Sequence, residues 1–286
     1  MAYLDNQDLW YELFHKNVSD APAWWIELQK SRARFNQAIS TLHNYSLLEV
    51  SEGRYSLHTC EHDWTLEYLN HEFEEERYRI AIHCVAANVS EESEAEYWVR
   101  NRRVLPHTRR FKHIRIRAAM DWSQIEPEDL HMFAYLYQQN DMNVEAEEMY
   151  VRALRRYEKA WGPDHTSTLY AVNDLGILYE NQGKHVEAEK MYRRALNGFE
   201  KARSSNHIFT FQVVNNLSNL YANQCKHVEA EKMYWRALNG WEKAWGPDHS
   251  FVHNIVHNLG CLYTDQGKHV EAEKMYRRAL NGWEKA

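Results

Sequence analysis

The sequence predicts an all-α protein in two parts: an N-terminal region of irregular helices containing one small β-hairpin, then a C-terminal solenoid of paired helices. Three observations predict it. The string Val-Glu-Ala-Glu opens at Val144, Val186, Val228 and Val270, a constant spacing of 42 residues, and self-similarity at such a period marks a stacked-repeat architecture. Within each period the apolar residues recur at helical spacing. Before Glu126 the period is absent, and an alternating segment, Leu47-Leu48-Glu49-Val50 followed by Arg54-Tyr55-Ser56-Leu57-His58, turns back at Ser51-Glu52-Gly53 as a hairpin does.

In chain order, helical periodicity covers Asp8 to Lys16, Trp24 to Thr41 and Glu61 to Glu75 around the hairpin, the outline of a winged helix over residues 1–70. Residues 71–125 read as a linker bundle of three helices, Glu74 to Val89, Glu94 to Leu105 and His107 to Met120, with Pro106 as a break. Residues 126–286 hold four repeat units. In the second, helix A runs from Thr168 to Asn181 on Val172, Leu175, Ile177, Leu178 and Tyr179, and helix B from His185 to Ala202 on Ala188, Met191, Tyr192, Ala195, Leu196 and Phe199. Gly183 and Gly267 tolerate the positive φ that closes a helix. Trp161-Gly162-Pro163-Asp164-His165 and Trp245-Gly246-Pro247-Asp248-His249 separate units, since proline prevents continuation. One connector departs, Ala202-Arg203-Ser204-Ser205-Asn206-His207, and Asp141 and Cys225 stand where two other units have glycine.

Small residues recur where helices approach closely: Ala134, Gly176, Ser218 and Gly260 in helix A, then Ala146, Ala188, Ala230 and Ala272 early in helix B. Tyrosines alternate with them at 137, 179, 221 and 263 and at 150, 192, 234 and 276, and Ala153, Ala195, Ala237 and Ala279 follow. This register resembles the tetratricopeptide repeat. With a period of 42 residues instead of about 34, and a Gly-Pro-Asp-His connector, it is most similar to the repeats of kinesin light chains and of fungal NB-ARC proteins. The resemblance implies an α-solenoid that holds a protein or an extended peptide.

A second resemblance lies upstream. Tyr55-Ser56-Leu57-His58-Thr59-Cys60-Glu61-His62-Asp63-Trp64 is similar to the Y-x-M-H-D-x-x-x-D-x-A segment of the winged-helix subdomain of NB-ARC and related STAND ATPases. Segments from Tyr3 to Leu13 and from Phe35 to Leu48 fit the same module. The resemblance implies the C-terminal part of a fungal NLR-like receptor that senses a partner, with Met1 falling inside the winged helix. It makes His58 a remnant of nucleotide sensing, although Thr59 occupies the family's usual Asp place. The nucleotide-binding half is not seen: no G-x-x-x-x-G-K-[ST] occurs, and Gly183-Lys184-His185 and Gly267-Lys268-His269 are turns without a preceding strand. The alternative is a free adaptor of kinesin-light-chain type.

Charge excludes other classes. Against 34 Lys+Arg stand 41 Asp+Glu, a net charge of -7, so no global field draws the chain to nucleic acid or an anionic membrane. The start lacks a basic n-region and an apolar h-region, and no membrane-spanning run occurs. Cys60, Cys84, Cys225 and Cys261 lie far apart without CxxC spacing, as suits a reducing compartment, and the expected address is cytoplasmic. His58, Cys60 and His62 with His83 and Cys84 lack the paired spacings of structural zinc, so no metal and no cofactor are expected. Glu145, Glu147 and Glu148 at a helix start complement the macrodipole, no G-x-S-x-G occurs, and no catalytic residue is assigned. Eight basic residues between Arg100 and Arg117, with the acidic stretches Glu72 to Glu76 and Glu91 to Glu96, read as complementary faces of adjacent helices in the linker bundle, partly paired and partly solvated, the alternatives being a nucleic-acid patch or an anionic partner segment.

What remains is the groove of the array. Its helix A lining is expected to be Tyr170, Asn173, Ile177, Glu180 and Asn181 in the second unit and Gln212, Asn215, Asn219, Ala222 and Asn223 in the third. The fourth set is Asn254, His257, Cys261, Thr264 and Asp265, and the first Glu128, His131, Tyr135, Gln138 and Gln139. Carboxamides both donate and accept, so a ladder of them pairs with a peptide backbone whatever its side chains. Self-association is a further expectation, because the last helix leaves Leu280 and Trp283 without a following unit.

Overall fold

The computed structural model describes residues 75–90, 97–117, 122–201 and 208–284, with short stretches before them at 33, 36–37, 39–40, 48–51 and 54–57. Among these residues there are ten α-helices and one two-stranded sheet. The chain divides into two compact units, Met1–Arg152 and Ala153–Ala286.

In the first unit, strands β1 (Leu48–Ser51) and β2 (Arg54–Leu57) pair antiparallel, with Leu48 opposite Leu57 and Ser51 opposite Arg54. The helices expected to surround them, Asp8 to Lys16, most of Trp24 to Thr41, and Glu61 to Glu75 as far as Glu74, lie outside the described residues. Helix α1 spans Glu75–Ala86 and α2 spans Tyr97–Arg117. Here the sequence reading is corrected: Pro106 does not break the chain into two helices but sits inside one. A proline removes one intrahelical bond and crowds the preceding turn, yet Val104, His107 and Phe111 on its two sides are all fully buried, so the packing that fixes one half also fixes the other. Thr108 Oγ1 donates to the Leu105 carbonyl at 2.8 Å beside the proline.

Three aromatic rings centre this unit. Phe111 lies edge-on to Tyr78 at 5.7 Å and stacks on Phe133 at 6.0 Å, and the Tyr78 hydroxyl donates to the Phe111 carbonyl at 2.8 Å. Phe133 belongs to α3 (Pro127–Gln138), which starts with proline at its first position, where no N–H is needed. His83 Nδ1 meets the buried Asp129 carboxylate at 3.0 Å and ties α1 to α3. Helix α4 (Asn143–Trp161) follows, and the division between the units falls inside it.

The second unit continues with α5 (Thr166–Asn181), α6 (His185–Lys201), α7 (Ile208–Asn223), α8 (His227–Trp245), α9 (Ser250–Asp265) and α10 (His269–Trp283). Odd-numbered members are the predicted helices A and even-numbered ones the helices B. Helix α5 starts two residues before its predicted first residue because His165 caps it: the Ser167 N–H points at His165 Nδ1 at 3.3 Å. His249 caps α9 in the same way. Within each pair, missing side chains set the approach. A Cβ on Gly176 would lie 2.7 Å from the Tyr192 ring, and Leu169, Phe211 and His253 fill the spaces left by Gly198, Gly240 and Gly282.

Successive pairs are joined by a contact that repeats with the sequence. Tyr221 donates to Glu189 at 3.1 Å, while Lys226 reaches the same carboxylate at 3.5 Å and lies 5.2 Å over the tyrosine ring. One unit on, Tyr263 and Lys268 meet Glu231 at 2.9 and 3.7 Å, with the ammonium 5.4 Å over the ring. Apolar rings extend the contact: Phe199 stacks on Phe209 at 6.4 Å and Trp241 on Phe251 at 4.5 Å. Between helices B run the ion pairs Arg194 to Glu158, Arg236 to Glu200 and Arg278 to Glu242, again one per unit.

Candidate partner-binding groove

The helices A present one face from unit to unit because the period of 42 residues restores the same rotation at each repeat. On that face some carboxamides bond from one helix A to the next and others do not. Asn173 belongs to the first group. It is only 5% exposed, its Nδ2 donates to Asp174 at 3.1 Å, and its Oδ1 accepts from Asn216 at 3.0 Å. Asn219 accepts from Tyr234 at 2.6 Å and from Asn258 at 3.2 Å, and Asn223 donates to Glu180 at 3.2 Å. Helices α7 and α9 are thus each hydrogen-bonded to the helix A before them. Asn216 and Asn258 were not singled out in the sequence; their shared register with Asp174, at the 42-residue spacing, is the feature that marks them.

Tyr170 also has a packing role, wedged edge-on between Phe199 at 5.9 Å and Phe209 at 4.4 Å. Burial, with the charge of Asp174, pushes its hydroxyl up to about 12. Ile177 is half-buried beside it in the same helix. Glu180 accepts from the Tyr192 hydroxyl at 2.8 Å; burial holds its carboxyl above the ordinary range against the hydrogen bonds from Tyr192 and Asn223. Burial in turn pushes the Tyr192 hydroxyl up, with Glu180 adding to it.

The second group is half-buried or exposed. Asn215 is half-buried, and its Oδ1 is shut off from solvent without any hydrogen-bond partner. Such an orphaned acceptor costs about 1 to 3 kcal/mol. Gln212 is half-buried, while Asn181 is exposed, as is Asn223 despite its single bond to Glu180. His257 lies 5.5 Å from the Tyr276 ring and 5.7 Å from Trp283, with Cys261 Sγ 3.6 Å from its Nε2. This set offers donors, acceptors and aromatic edges at the surface of the helices A. His58 lies outside the described residues. No group of His, Cys, Asp or Glu among the described residues is placed to hold a metal ion, and no described helix is long and apolar enough to cross a membrane.

The basic helix α2 is built into its own unit. Arg100 donates to Ser90 at 2.9 Å, Asn101 exchanges two hydrogen bonds with the Ser90 backbone, and Arg109 reaches Met142 Sδ at 4.0 Å.

Paired antiparallel helices stacked in register, with small residues at each crossing, define an α-solenoid. The chain belongs to the tetratricopeptide repeat family: that family's profile matches residues 130–201 and 209–285, just over half of it. No curated relative matches the chain. Among solved structures it is similar to BtubC (BKLC) from P. vanneervenii, at 21% identity and a TM-score of 0.54 over 73% of this chain and 85% of that one. It is also similar to a Podosopora anserina protein described as a kinesin light chain with nearly identical TPR-like repeats. That structure and a point-substituted variant of it show 18% and 17% identity and TM-scores of 0.57 and 0.59, each over 75% of this chain and 98% of that one. These likenesses establish the fold.

Proposed function

We propose that the chain is a non-enzymatic protein-interaction scaffold that holds an extended segment of a partner protein along its helix A face. The observation that carries this reading is the row of exposed and half-buried polar side chains on the helices A, Asn181, Gln212, Asn215, Asn223 and His257. A bound backbone exchanges hydrogen bonds with these side chains, while Asn173 and Asn219 keep the groove in shape. The NB-ARC-like segment Tyr55 to Trp64 supports placing the scaffold in an NLR-like receptor of cytoplasmic address, with a winged-helix module over 1–70, a linker over 71–125 and the repeats over 126–286. A free cargo or assembly adaptor of kinesin-light-chain type is the second reading, favoured by the likeness to structures of that description.

The test uses an extended peptide selected from a random display library against the whole chain. Changing Asn181, Asn215 and Asn223 together to alanine removes three backbone contacts of about 0.5 to 1.5 kcal/mol each, a loss of roughly one to three orders of magnitude in affinity. Unchanged affinity in that variant, with binding abolished by Arg109→Glu and Arg110→Glu, moves the interaction site to α2 and refutes the groove.

A further inference from the structure

Charge is divided unevenly between the two kinds of helix in the second unit. The helices B α6, α8 and α10 each carry three or four lysines and arginines, and the helices A α5, α7 and α9 carry none. Burial alone does not account for this, because carboxylates stay on the helices A: Asp174 and Glu180 on α5, and Asp265 on α9. Cations of the helices B pair with carboxylates of other helices B, as Arg194 does with Glu158 and Arg236 with Glu200. The helix A face therefore carries an anionic field that no lysine or arginine of its own helices offsets.

Glu180 is the carboxylate on which that field has a defined geometry. It is half-buried, and it accepts from the Tyr192 hydroxyl on Oε2 at 2.8 Å and from Asn223 Nδ2 on Oε1 at 3.2 Å. Both donors are neutral. Burial holds the carboxyl above its ordinary range although these two bonds and the charge of His185 work against it. A carboxylate offers about two acceptor sites on each oxygen, so one on each remains. Asn181, next in sequence, and Asn223, across on α7, are exposed beside it.

We infer that the helix A face selects an extended segment bearing an arginine, whose guanidinium forks onto the two oxygens of Glu180. The inference rests on the reading of that face as the partner's seat and names the partner's chemistry. A guanidinium presents parallel N–H donors at the spacing of two carboxylate oxygens, and it is more weakly hydrated than an ammonium, so it enters a half-buried place at less cost. Asn181 and Asn223 hold the backbone that carries it. An acidic side chain in the same place meets Glu180 as a like charge, and a neutral one leaves the carboxylate without a counter-ion.

The probes are peptides selected from a random display library on the whole chain, with affinities read by fluorescence anisotropy. The selected sequences are enriched in arginine. Citrulline in its place, neutral and of nearly the same shape, weakens binding by about tenfold or more, and lysine weakens it less. Glu180→Gln brings the arginine peptide down to the citrulline level and leaves the citrulline peptide unchanged. Glutamine still accepts from Tyr192, so the variant keeps the wild-type melting temperature, and the citrulline comparison needs no variant at all. Two results overturn the inference while the groove reading stands. One is a set of selected peptides that lose affinity for the Asn181, Asn215 and Asn223 alanine variant but carry no cation. The other is arginine peptides that bind wild type and Glu180→Gln equally. Selected peptides indifferent to the triple alanine variant, or no selected peptide at all, overturn the groove reading and the inference together.

Discussion

The second and third repeats share helix B almost letter for letter, yet they close against their helices A by different contacts. Tyr192 of the second donates to Glu180 at 2.8 Å. Ala222 stands in the place of Glu180 in the third, and Tyr234 donates to Asn219 at 2.6 Å instead. The second turns from helix A to helix B on Gly183 at φ 71° and the third on Cys225 at φ 58°. Leu169 fills the space at Gly198 and Phe211 the space at Gly240. These two repeats therefore share an acceptor within reach of the tyrosine, a left-handed residue at the turn and a missing Cβ on helix B, with different side chains in the first two roles; the first repeat has Arg156 in the register of that glycine.

Of the three, the missing Cβ is the one filled by the same residue in both repeats. Gly240→Ala puts a methyl 2.1 Å from the flat Phe211 ring, whereas Gly198→Ala meets the branched end of Leu169 at 2.3 Å. Overpacking costs about 1 to 3 kcal/mol, and in urea unfolding Gly240→Ala is expected at the upper end and Gly198→Ala below it, because a leucine rotates aside and a packed ring does not. Equal costs would break the comparison. Next in size is the tyrosine bond. Tyr192→Phe is expected to cost about 1.5 kcal/mol and Tyr234→Phe about 1 kcal/mol, since a carboxylate is the stronger acceptor.

The turn residue comes third. Cys225→Gly relieves a side chain held at positive φ and is expected to raise stability by about 0.5 to 1 kcal/mol, while Gly183→Ala lowers it by about 1 kcal/mol. Thermal melts of the two variants should move in opposite directions.

The smallest effect is a pH dependence of two carboxylates with opposite signs. Burial works to raise Glu189, but hydrogen bonds from Tyr221 and Arg193 and the charges of Lys226 and Arg193 outweigh it and hold the carboxyl below its ordinary value. Its stabilisation is present above the unfolded-state value and is lost as pH falls through the folded one. Glu180 is held above its ordinary value by burial, so the folded state gains stability as pH falls from its folded value toward the unfolded one. In acid titrations followed by circular dichroism, Glu189→Gln should flatten the acid loss and Glu180→Gln should steepen it.

Much of this was legible in sequence because the repeats check one another. Helix B of the second unit, the four glycine turns and the tyrosine register fall where the 42-residue period puts them. The start of α5 was missed by two residues because histidine is not among the usual capping residues, and only the geometry of His165 reveals it. Pro106 misled for a different reason: local propensity opposed a helix that the burial of Val104, His107 and Phe111 imposes. Within the groove, sequence placed Asn173 among the partner-facing residues but could not separate it from Asn215. Neighbouring helical positions differ by about 100°, and whether a carboxamide at the edge of a face turns to solvent or to the next helix depends on what that helix offers. Asn216 on the next helix decides it for Asn173.

The division between locked and open carboxamides is the central claim, and side-chain amide resonances test it most directly. With a display-selected peptide titrated into the 15N-labelled chain, the NH2 signals of Asn215, Asn181 and Asn223 should shift saturably, while that of Asn173 stays in place. Saturable shifts confined to α2, with the Asn215 signal unmoved, would contradict the account.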